Sequence, residues 1–462
     1  VGGGFRVGVS RLLVQRAVAE HAGLEPALVA QRMMGWTQAA NRPVAQSWFV
    51  LVESPAAGAD ESGRLDGQPY PFFLAHAVDT ADEGRLAQVL GPASDWMVEW
   101  KYDGIRAQVV RRGDGVWIWS RGEELLDGRF PEVEEAARAL PPGTVLDGEL
   151  LVMRDGMPAS FSELQTRITR KTVTRALRER SPVAFIAYDL MEVEGCDVRH
   201  WPQHQRRTRL EQVLAVAGDA SSPEAHGGFE GVLRLSPLVH SEDWDGLQRL
   251  RHDSRARAVE GFMLKHRDAR YGVGRRKAEP GAAAGWWKWK VQPMTVDAVL
   301  VYAQAGHGRR ASLYTDYTFA VWSRLPRDES EVQAVLQAIE RREAPPADPQ
   351  GLRLVPFAKA YSGLSGARRH EVMGVMAKPL SDEEFKQVDR VIRSTTVEKF
   401  GPVRSVVPSL VFELAFEGMS RSTRHKSGVA VRFPRMLRWR TDKPLREADT
   451  LESLLRVGSL PP

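Results

Sequence analysis

The sequence predicts an α+β protein in which two different folds follow a short helical segment. Between residues 71 and 293, runs of β-branched and aromatic residues alternate with helical patterns, which is typical of one large mixed unit. After residue 294 the strands become short and are separated by glycine-containing turns. That pattern favours a small barrel of about five strands, with the OB-fold as the leading candidate. Before residue 54, Leu12, Leu13, Val14, Ala17 and Val18 recur at helical spacing.

Composition sets the predicted boundaries between these units. A chain of 462 residues is too long for one core, since domains average roughly 150 residues. Residues 54–70 are rich in Gly, Ala, Asp and Ser, so we expect a linker there. The predicted domains are therefore a helical segment at 1–53, an α+β domain at 71–293 and a barrel at 294–462.

Hydrophobic periodicity predicts the individual elements. In the α+β domain we expect strands at 107–110, 116–120, 145–153, 183–193 and 261–265, and helices at 131–139, 161–165, 203–216 and 244–259. In the barrel we expect strands at 295–303, 312–322 and 409–416, and helices at 329–342 and 383–394.

Charge and cysteine content restrict the class of protein. Lys and Arg number 64 against 59 Asp and Glu, which favours a polyanionic partner. Cys196 is the only cysteine, which excludes an internal disulfide and a cysteine-based zinc finger, and fits a reducing, cytoplasmic setting. No apolar run reaches the roughly 18 residues of a membrane span, and a signal peptide pattern is missing from the first residues. We therefore expect no membrane partner.

Lys101 opens the run Lys-Tyr-Asp-Gly-Ile-Arg directly after an apolar segment. One hypothesis is that Lys101 is a nucleophile that attacks a phosphorus atom. The amine of such a lysine must be neutral, so we expect neighbouring cations to lower the pKa of Lys101. Gly104 would let the backbone pass close to a ligand, and Arg106 would hold a phosphate or ribose oxygen. The alternative is an ordinary strand and turn with a solvated lysine.

Two glutamates stand beside glycine at apolar strands. Glu149 follows Asp147 and Gly148, and Glu260 precedes Gly261. Burying a carboxylate is costly unless it is paired or holds a cation, and Mg²⁺ prefers carboxylates, waters and phosphates. Glu149 and Glu260 are therefore the predicted magnesium ligands. A ribose acceptor is the alternative role for Glu149, and a turn cap is the alternative for Asp147.

An aromatic ring and an arginine occupy further strand positions. Tyr188 lies at the centre of an apolar strand and would stack on a purine, with a place in the core as the alternative. Arg121 follows a strand end and would reach a phosphate or ribose, with an ordinary surface arginine as the alternative.

Lysines alternate with tryptophans in the segment 286–290. On a strand this spacing puts Lys288 and Lys290 on one face and the tryptophans on the other, so both ammonium groups would face one phosphate. Arg276, in the preceding glycine-containing run, is a further predicted phosphate ligand. The alternative is a tryptophan-rich edge with solvated lysines.

The densest cationic segment lies at 432–443 and follows the basic stretch 418–428. Charge alone predicts a surface that binds a polyanion. The segment ends in Arg440-Thr441-Asp442-Lys443.

The motifs resemble, in order and spacing, those of the ATP-dependent DNA ligases of the bacterial multidomain type. The resemblance runs from about Pro71 to Lys443. Its members are Lys101, Arg121, Glu149, Tyr188, Glu260, Lys288, Lys290, Arg440 and Lys443. Residues 4–10 are similar to the end of the helical DNA-binding domain that precedes the catalytic core in such enzymes, so we expect most of that domain to be missing. The fold that the resemblance implies is a nucleotidyltransferase (adenylation) domain followed by an OB-fold.

The resemblance implies a three-step reaction that uses ATP and Mg²⁺. Lys101 takes AMP from ATP and releases pyrophosphate, AMP passes to the 5′-phosphate at a nick, and the 3′-hydroxyl displaces AMP. By the same resemblance Glu99 accepts a hydrogen bond from the adenine amino group, and Arg106 holds the ribose. Arg440 and Lys443 hold the leaving pyrophosphate.

The expected partner is nicked double-stranded DNA, in repair, replication or recombination, and we expect a monomer associated with the nucleoid in a bacterial cytoplasm. A barrel that supplies Lys443 to the first step cannot grip DNA with the same face. We therefore expect it to swing about a hinge near 291–294 between steps.

Three alternatives share part of this pattern. An mRNA capping enzyme or RNA ligase has the same lysine motif, but the helical start and the segment 432–435 favour a DNA enzyme. An NAD-dependent ligase is disfavoured because its zinc cysteines are absent. A non-catalytic clamp is disfavoured because Lys101, Glu149 and Glu260 are present together.

Overall fold

The computed structural model describes residues 11–34, 45–53, 67–126, 128–170, 172–216, 231–274, 285–306, 314–344, 348, 350–361 and 380–459. The chain divides into two compact units, Val1–Val291 and Gln292–Pro462. Each unit has its own hydrophobic core. Among the described residues, no helix has the length and apolar character needed to cross a membrane.

Three short helices open the first unit: α1 (Arg11–Ala22), α2 (Pro26–Arg32) and α3 (Ala45–Val52). They pack through the buried side chains of Ala19, Val29 and Leu51. Arg32 Nη1 donates to the carbonyl oxygens of Leu51 and Glu53 at 3.1 and 2.6 Å, which ties α2 to the end of α3. The helical prediction for this segment holds over the described residues.

Strands and helices then alternate through the rest of the first unit. In chain order the strands are β1 (His76–Ala77), β2 (Trp96–Tyr102), β3 (Ile105–Arg112), β4 (Gly115–Ser120), β5 (Thr144–Arg154), β6 (Met157–Pro158), β7 (Val183–Val193), β8 (Cys196–Asp197), β9 (Leu233–Leu235), β10 (Val259–His266) and β11 (Trp286–Lys290). The helices are α4 (Leu86–Leu90), α5 (Pro131–Ala137), α6 (Phe161–Ile168), α7 (Arg175–Arg180), α8 (Gln203–Val216) and α9 (Trp244–Arg251).

Two sheets result. The larger has the order β4-β3-β5-β7-β8, with β6 paired to β5 and β9 parallel to β7. The smaller has the order β1-β11-β10-β2. Side chains alternate between the faces of a strand, so Val98 and Trp100 of β2 pack in an apolar cluster with Phe262 and Trp289, while Lys101 points to the opposite face.

The predicted helix at 244–259 is wrong in its second half, because α9 ends at Arg251. A short 3₁₀ turn at His252–Ser254 follows, and Ala258 has φ +53°, a left-handed conformation that does not continue a right-handed helix. Val259 then begins β10. Strand β10 therefore starts two residues earlier than the predicted strand at 261–265 and includes Glu260.

Tyr70 is fully buried, although it lies at the end of the predicted linker. Its backbone N–H donates to Gln108 Oε1 at 2.7 Å, and Gln108 Nε2 donates to its carbonyl oxygen at 2.7 Å. Its hydroxyl donates to Glu192 Oε2 at 2.8 Å. The residues just before 71 are therefore packed against the larger sheet rather than extended in solvent.

The second unit is built around antiparallel strands of 4 to 12 residues. They are β12 (Met294–Ala305), β13 (Tyr314–Trp322), β14 (Leu354–Tyr361), β15 (Thr396–Phe400), β16 (Val403–Val406), β17 (Val411–Phe416), β18 (Gly418–Arg421), β19 (Val429–Arg432) and β20 (Arg435–Trp439). The helices are α10 (Glu329–Glu340), α11 (Asp382–Ser394) and α12 (Leu451–Val457).

β12 is the organising strand of this unit, because it pairs with β13 along one edge and with β17 and then β16 along the other. β17 continues to β20, while β18 and β19 form a separate hairpin. The inward side chains of these strands and of α11 form one apolar core. Among the described residues seven strands belong to one sheet, to which β15 and β16 contribute, and β18–β19 lies outside it, so the expectation of about five strands was too low.

A fully buried ion pair lies in the core behind the larger sheet. Arg206 of α8 donates from Nε and Nη2 to the two carboxylate oxygens of Asp189 at 2.8 and 2.9 Å, and both side chains are 0% exposed. Arg206 Nη1 also donates to the carbonyl oxygens of Trp201 and Ala269. A buried charge of this kind is stable only while its partner is present.

We predict that Asp189→Ala lowers the free energy of unfolding by about 3–5 kcal/mol, because it leaves the Arg206 guanidinium buried without a counter-charge. Arg175→Ala is the matched control, since its pair with Glu179 is exposed, and we expect a change of less than about 0.5 kcal/mol. Chemical denaturation followed by circular dichroism measures both. Equal effects of the two substitutions would contradict the prediction.

Candidate active site

Lys101 lies near the end of β2, where it meets a glutamate from the next strand. Lys101 Nζ donates to Glu260 Oε2 at 2.5 Å, and Lys290 Nζ of β11 lies 3.1 Å from Glu260 Oε1. The side chains of Lys101 and Glu260 are 23% and 16% exposed, so the group lies at the surface of the sheet within reach of a ligand. One carboxylate therefore joins three strands, β2, β10 and β11.

A β-bulge places Glu260 on this face. The pairing of β10 with β2 shifts between Val259 and Phe262, and Gly261 has φ +125°, a conformation that favours glycine. With regular alternation Glu260 would share the face of Phe262, which packs in the apolar cluster behind the sheet. The bulge instead brings the carboxylate to Lys101.

The pKa of Lys101 is shifted in the direction opposite to the prediction. Burial by itself would lower the pKa, but the carboxylates of Glu260, Glu149 and Asp103 outweigh burial and raise the pKa above its ordinary value. The expectation that nearby cations lower it is wrong for this ligand-free arrangement, because the closest charges are negative. Lys101 is held here as an ammonium ion.

The two glutamates differ in protonation. Burial raises the pKa of the Glu149 carboxyl to about 7, although Lys101 and Arg106 act against the shift. Burial also opposes ionisation of Glu260, but Lys101 and Lys290 hold its pKa at about 2. An additional cation would therefore stabilise the ionised form of Glu149, whereas Glu260 is already paired with Lys101 and Lys290.

Arg106 is held in place by its neighbours on one strand and two loops. Nε and Nη2 donate to the two oxygens of Asp147 at 3.1 and 2.7 Å, and Nη1 donates to the carbonyl oxygen of Phe73 at 2.7 Å. The Tyr271 hydroxyl donates to the same Asp147 carboxylate at 2.7 Å. The fully buried Asp147 therefore orients Arg106, which settles the alternative of a turn cap.

Gly104 makes this arrangement possible through packing. A Cβ at position 104 would lie 2.3 Å from the carbonyl oxygen of Leu150 and 2.8 Å from Glu149 Cγ. The turn between β2 and β3 therefore needs glycine because it passes directly over β5. In the structure Gly104 lies close to β5, whereas the prediction was that Gly104 lets the backbone pass close to a ligand.

Lys265 lies among the predicted site residues, although the sequence motifs did not indicate it. Its ammonium donates to Glu99 Oε1 at 2.9 Å and to the Tyr188 carbonyl oxygen at 2.6 Å, and lies 4.6 Å from the ring centres of Tyr188 and Trp286. Lys265 and Glu99 are both buried. Residues two apart on a strand share a face, so Lys265 lies on the same face as Met263. Met263 pairs with Glu99 across the strands, and this alternation was the signal that could have indicated Lys265.

The lysine and tryptophan segment forms β11, as the sequence predicts. Lys288 pairs with Met263 and Lys290 pairs with Gly261 across the strands. Trp287 and Trp289 pack behind the sheet. Trp286 departs from the prediction, because it shares the face of the lysines and packs with Tyr188 and Tyr271.

The structure gives less information on the remaining two predicted cations of the first unit, Arg121 and Arg276. Arg121 is exposed at the end of β4, and its backbone N–H donates to the carbonyl oxygen of Arg106 at 3.0 Å. The two arginines are thus neighbours in the structure. Arg276 lies outside the described residues.

In the second unit, Arg440 and Lys443 converge on one aspartate of β12. Arg440 Nη1 donates to Asp297 Oδ1 and Oδ2 at 2.9 and 2.8 Å, and Lys443 Nζ donates to Asp297 Oδ2 at 2.6 Å. Arg440 Nε and Nη2 also donate to Asp442 at 2.9 Å each. The sequence gave no reason to select Asp297, which lies 143 positions from Arg440.

An exposed phenylalanine interrupts the basic segment before Arg440. Phe433 has φ +50° and is 56% exposed, and the Arg432 guanidinium lies 4.9 Å from its ring centre. A bulky residue with positive φ carries strain of about 1–3 kcal/mol, which is most often retained at functional sites. Phe433 and Arg432 therefore form an exposed aromatic and cationic pair at the turn between β19 and β20.

Among the described residues, no group of three or more His, Cys, Asp or Glu side chains is arranged to hold a metal ion. The two glutamates still fit a weaker arrangement, because Mg²⁺ commonly takes only one or two carboxylates and completes its shell with phosphate and water. The raised pKa of Glu149 fits this role, since a cation would stabilise its ionised form.

Comparison with known proteins covers both units. Residues 73–290 match the family model of the ATP dependent DNA ligase domain, and residues 332–443 match the model of the ATP dependent DNA ligase C terminal region. A probable DNA ligase of Koribacter versatilis (strain Ellin345) is 31% identical over 460 residues, which is 97% of this chain and 69% of the relative. A probable DNA ligase of Opitutus terrae is 34% identical over 412 residues, which is 85% of this chain but 35% of the relative.

A solved structure described as Pmar-Lig_Pre has a TM-score of 0.51 and 15% identity, and the match covers 81% of this chain and 69% of that one. This likeness bears on the fold alone. The predicted fold class, a nucleotidyltransferase domain followed by an OB-fold, is confirmed. The two family models and the relative matched over nearly the whole chain show that this protein belongs to the ATP-dependent DNA ligases, a family of covalent nucleotidyltransferases, as its motifs predicted.

Proposed function

We propose that this chain seals 5′-phosphate/3′-hydroxyl nicks in duplex DNA through a covalent lysyl-AMP intermediate on Lys101. The observation that carries the proposal is the cluster in which Glu260 joins Lys101 to Lys290, beside Glu149 and Arg106. In the first step the Lys101 amine forms a bond to the α-phosphorus of ATP while the bond to pyrophosphate breaks. AMP then passes to the 5′-phosphate, and the 3′-hydroxyl displaces it.

The contacts of Lys101 show what the first step must overcome. Lys101 has to lose a proton before it attacks, and the carboxylates of Glu260 and Glu149 oppose that loss. We propose that Glu149 and Glu260 hold Mg²⁺, which supplies positive charge to these carboxylates and to the phosphates when it is bound. Lys288 and Lys290 would hold the α-phosphate oxygens and stabilise charge in the transition state.

We also propose roles for the other predicted residues. Arg106, oriented by Asp147, would hold the ribose, and Tyr188 would stack on adenine next to Lys265. Arg121 and Arg276 would bind ribose or phosphate oxygens. Arg440 and Lys443 would hold the leaving pyrophosphate. The hinge near 291–294 and the proposed domain boundaries stay predictions.

Glu99 and Lys265 together provide a chemical basis for choosing adenine. The edge of adenine presents an amino donor beside a ring nitrogen acceptor, whereas guanine presents a carbonyl acceptor beside an N–H donor. A carboxylate acceptor next to an ammonium donor matches the first pattern and opposes the second. We propose that Glu99 accepts from the amino group and Lys265 donates to the ring nitrogen.

We propose nicked double-stranded DNA as the substrate and a monomer as the active form, acting at the nucleoid in the cytoplasm. The cationic surface around Phe433 supports a DNA partner, since phosphate contacts supply much of the affinity and an apolar ring can enter the minor groove. Repair, replication and recombination are all reactions in which such nicks arise.

The first test is the covalent intermediate. We expect wild-type protein incubated with ATP and Mg²⁺ to gain the mass of one AMP at Lys101, and Lys101→Ala to gain none, because the variant lacks the nucleophile. Lys359→Ala, which changes a lysine of the second unit, is the control and should be adenylylated normally. Peptide mass spectrometry locates the adduct. Attachment to a different residue would refute the assignment.

The second test concerns the choice of nucleotide. We expect Lys265→Met to reduce the ATP-to-GTP preference in Lys101 labelling by about 10- to 100-fold, because a hydrogen bond from a charged donor contributes about 1.5–3 kcal/mol. Lys288→Met is the matched control on the same sheet face, and should slow labelling by both nucleotides without changing their ratio. An unchanged ratio in Lys265→Met would exclude the proposed base contact.

The third test concerns DNA. We expect Phe433→Ala to weaken binding of nicked duplex by about tenfold, since stacking or wedge contacts of one aromatic ring contribute about 1–3 kcal/mol, and to leave lysine labelling unchanged. Phe400→Ala is the control, because this phenylalanine of β15 is also 56% exposed. Fluorescence anisotropy with labelled nicked DNA measures both. Similar losses in the two variants would show that Phe433 has no special contact.

A further inference from the structure

Asp297 is the shared partner of the two cations that we assign to pyrophosphate. Both of its carboxylate oxygens accept a hydrogen bond from Arg440 Nη1, and Oδ2 also accepts one from Lys443 Nζ, at 2.6 to 2.9 Å. We propose that Asp297 is a positioning residue that sets Arg440 and Lys443 at the spacing needed for the leaving pyrophosphate. This inference rests on the proposed function, because it needs those cations to act in the first step.

The backbone fixes Asp297 before its side chain acts. Asp297 lies within β12 and pairs with Glu413 of β17. Its N–H donates to Asp449 Oδ2 at 2.7 Å, and its carbonyl oxygen accepts from the Asp449 N–H at 2.9 Å. Both backbone groups are therefore satisfied, and the carboxylate is 11% exposed, so it has little freedom to follow a moving partner.

The cations, in contrast, lie in a less regular segment. Arg440 follows β20 and its N–H donates to the Val411 carbonyl oxygen at 2.8 Å, after which a turn returns Lys443 N–H to the Arg440 carbonyl oxygen at 3.2 Å. A long side chain in such a turn has many rotamers, and ordering it costs conformational entropy. Because Arg440 and Lys443 both donate hydrogen bonds to the rigid carboxylate of Asp297, their side chains are ordered without a ligand.

The positioned cations keep donors for an anion. The contact with Asp297 uses one of the three N–H groups of Lys443, and the side chains of Arg440 and Lys443 are 17% and 21% exposed. Asp442 further restrains Arg440 through Nε and Nη2. The arrangement resembles the support of Arg106 by Asp147, where a buried carboxylate also orients a cation that stays partly exposed.

Asp297→Asn tests the proposal, because the amide keeps the shape and one acceptor oxygen but loses the charge. We expect at least a tenfold slower formation of Lys101-AMP in single-turnover measurements over a range of ATP concentrations. Sealing of a nick that already carries AMP on its 5′-phosphate should stay within twofold of wild type, because that reaction releases no pyrophosphate. Glu413→Gln, which removes the neighbouring pair with Arg438, is the matched control and should not slow the first step.

A variant cycle separates positioning from a general structural effect. In a protein that already carries Arg440→Ala and Lys443→Ala, adding Asp297→Asn should slow the first step by less than twofold, since the residues through which Asp297 acts are gone. A further tenfold loss in that background would overturn the inference. So would an equal loss of both reactions in Asp297→Asn, or a faster first step, which would mean that Asp297 competes with phosphate.

The same experiment distinguishes failure of the proposed function. If Arg440→Ala with Lys443→Ala forms Lys101-AMP at the wild-type rate, the assignment of those cations to pyrophosphate is wrong. If that double variant is slow while Asp297→Asn is normal, the assignment stands and only the role of Asp297 is refuted.

Discussion

The contact between Glu260 and the two ammonium groups of Lys101 and Lys290 is the interaction on which the first unit's site depends. It joins Lys101 on β2 to Lys290 on β11 through a carboxylate on β10, the strand between them. Each residue sits on a strand whose opposite face is packed with tryptophan and phenylalanine. Apolar packing behind the sheet therefore sets where the charges in front of it lie.

Three cations to which we assign ligand contacts are each paired with a carboxylate. Lys101 is paired with Glu260, Arg106 with Asp147, and Arg440 with Asp297. A partly buried cation without a counter-charge would be costly, so each carboxylate stabilises the charge of its partner.

This support has a consequence for reactivity. The carboxylates that hold Lys101 in place also raise its pKa above the ordinary value, which favours the ammonium form. If Lys101 is the nucleophile, as we propose, its amine has to lose a proton before it attacks, and a lysine suits this role because its pKa responds strongly to its surroundings.

Much of the fold, and most of the residues that we propose for the site, could be predicted from the order of residues along the chain. Periodicity of 2 and 3.6 predicts β7 and α8 with the bounds that the structure has, and the motif order indicated the family. Such features are local, since a strand or a lysine motif needs only its neighbours in sequence. Tertiary structure decided the bulge that turns Glu260 toward Lys101, the placing of Lys265 beside Glu99, and the pairing of Asp297 with Arg440. Those features join residues more than a hundred positions apart, and their geometry comes from strand pairing and packing, which no local pattern of residues specifies.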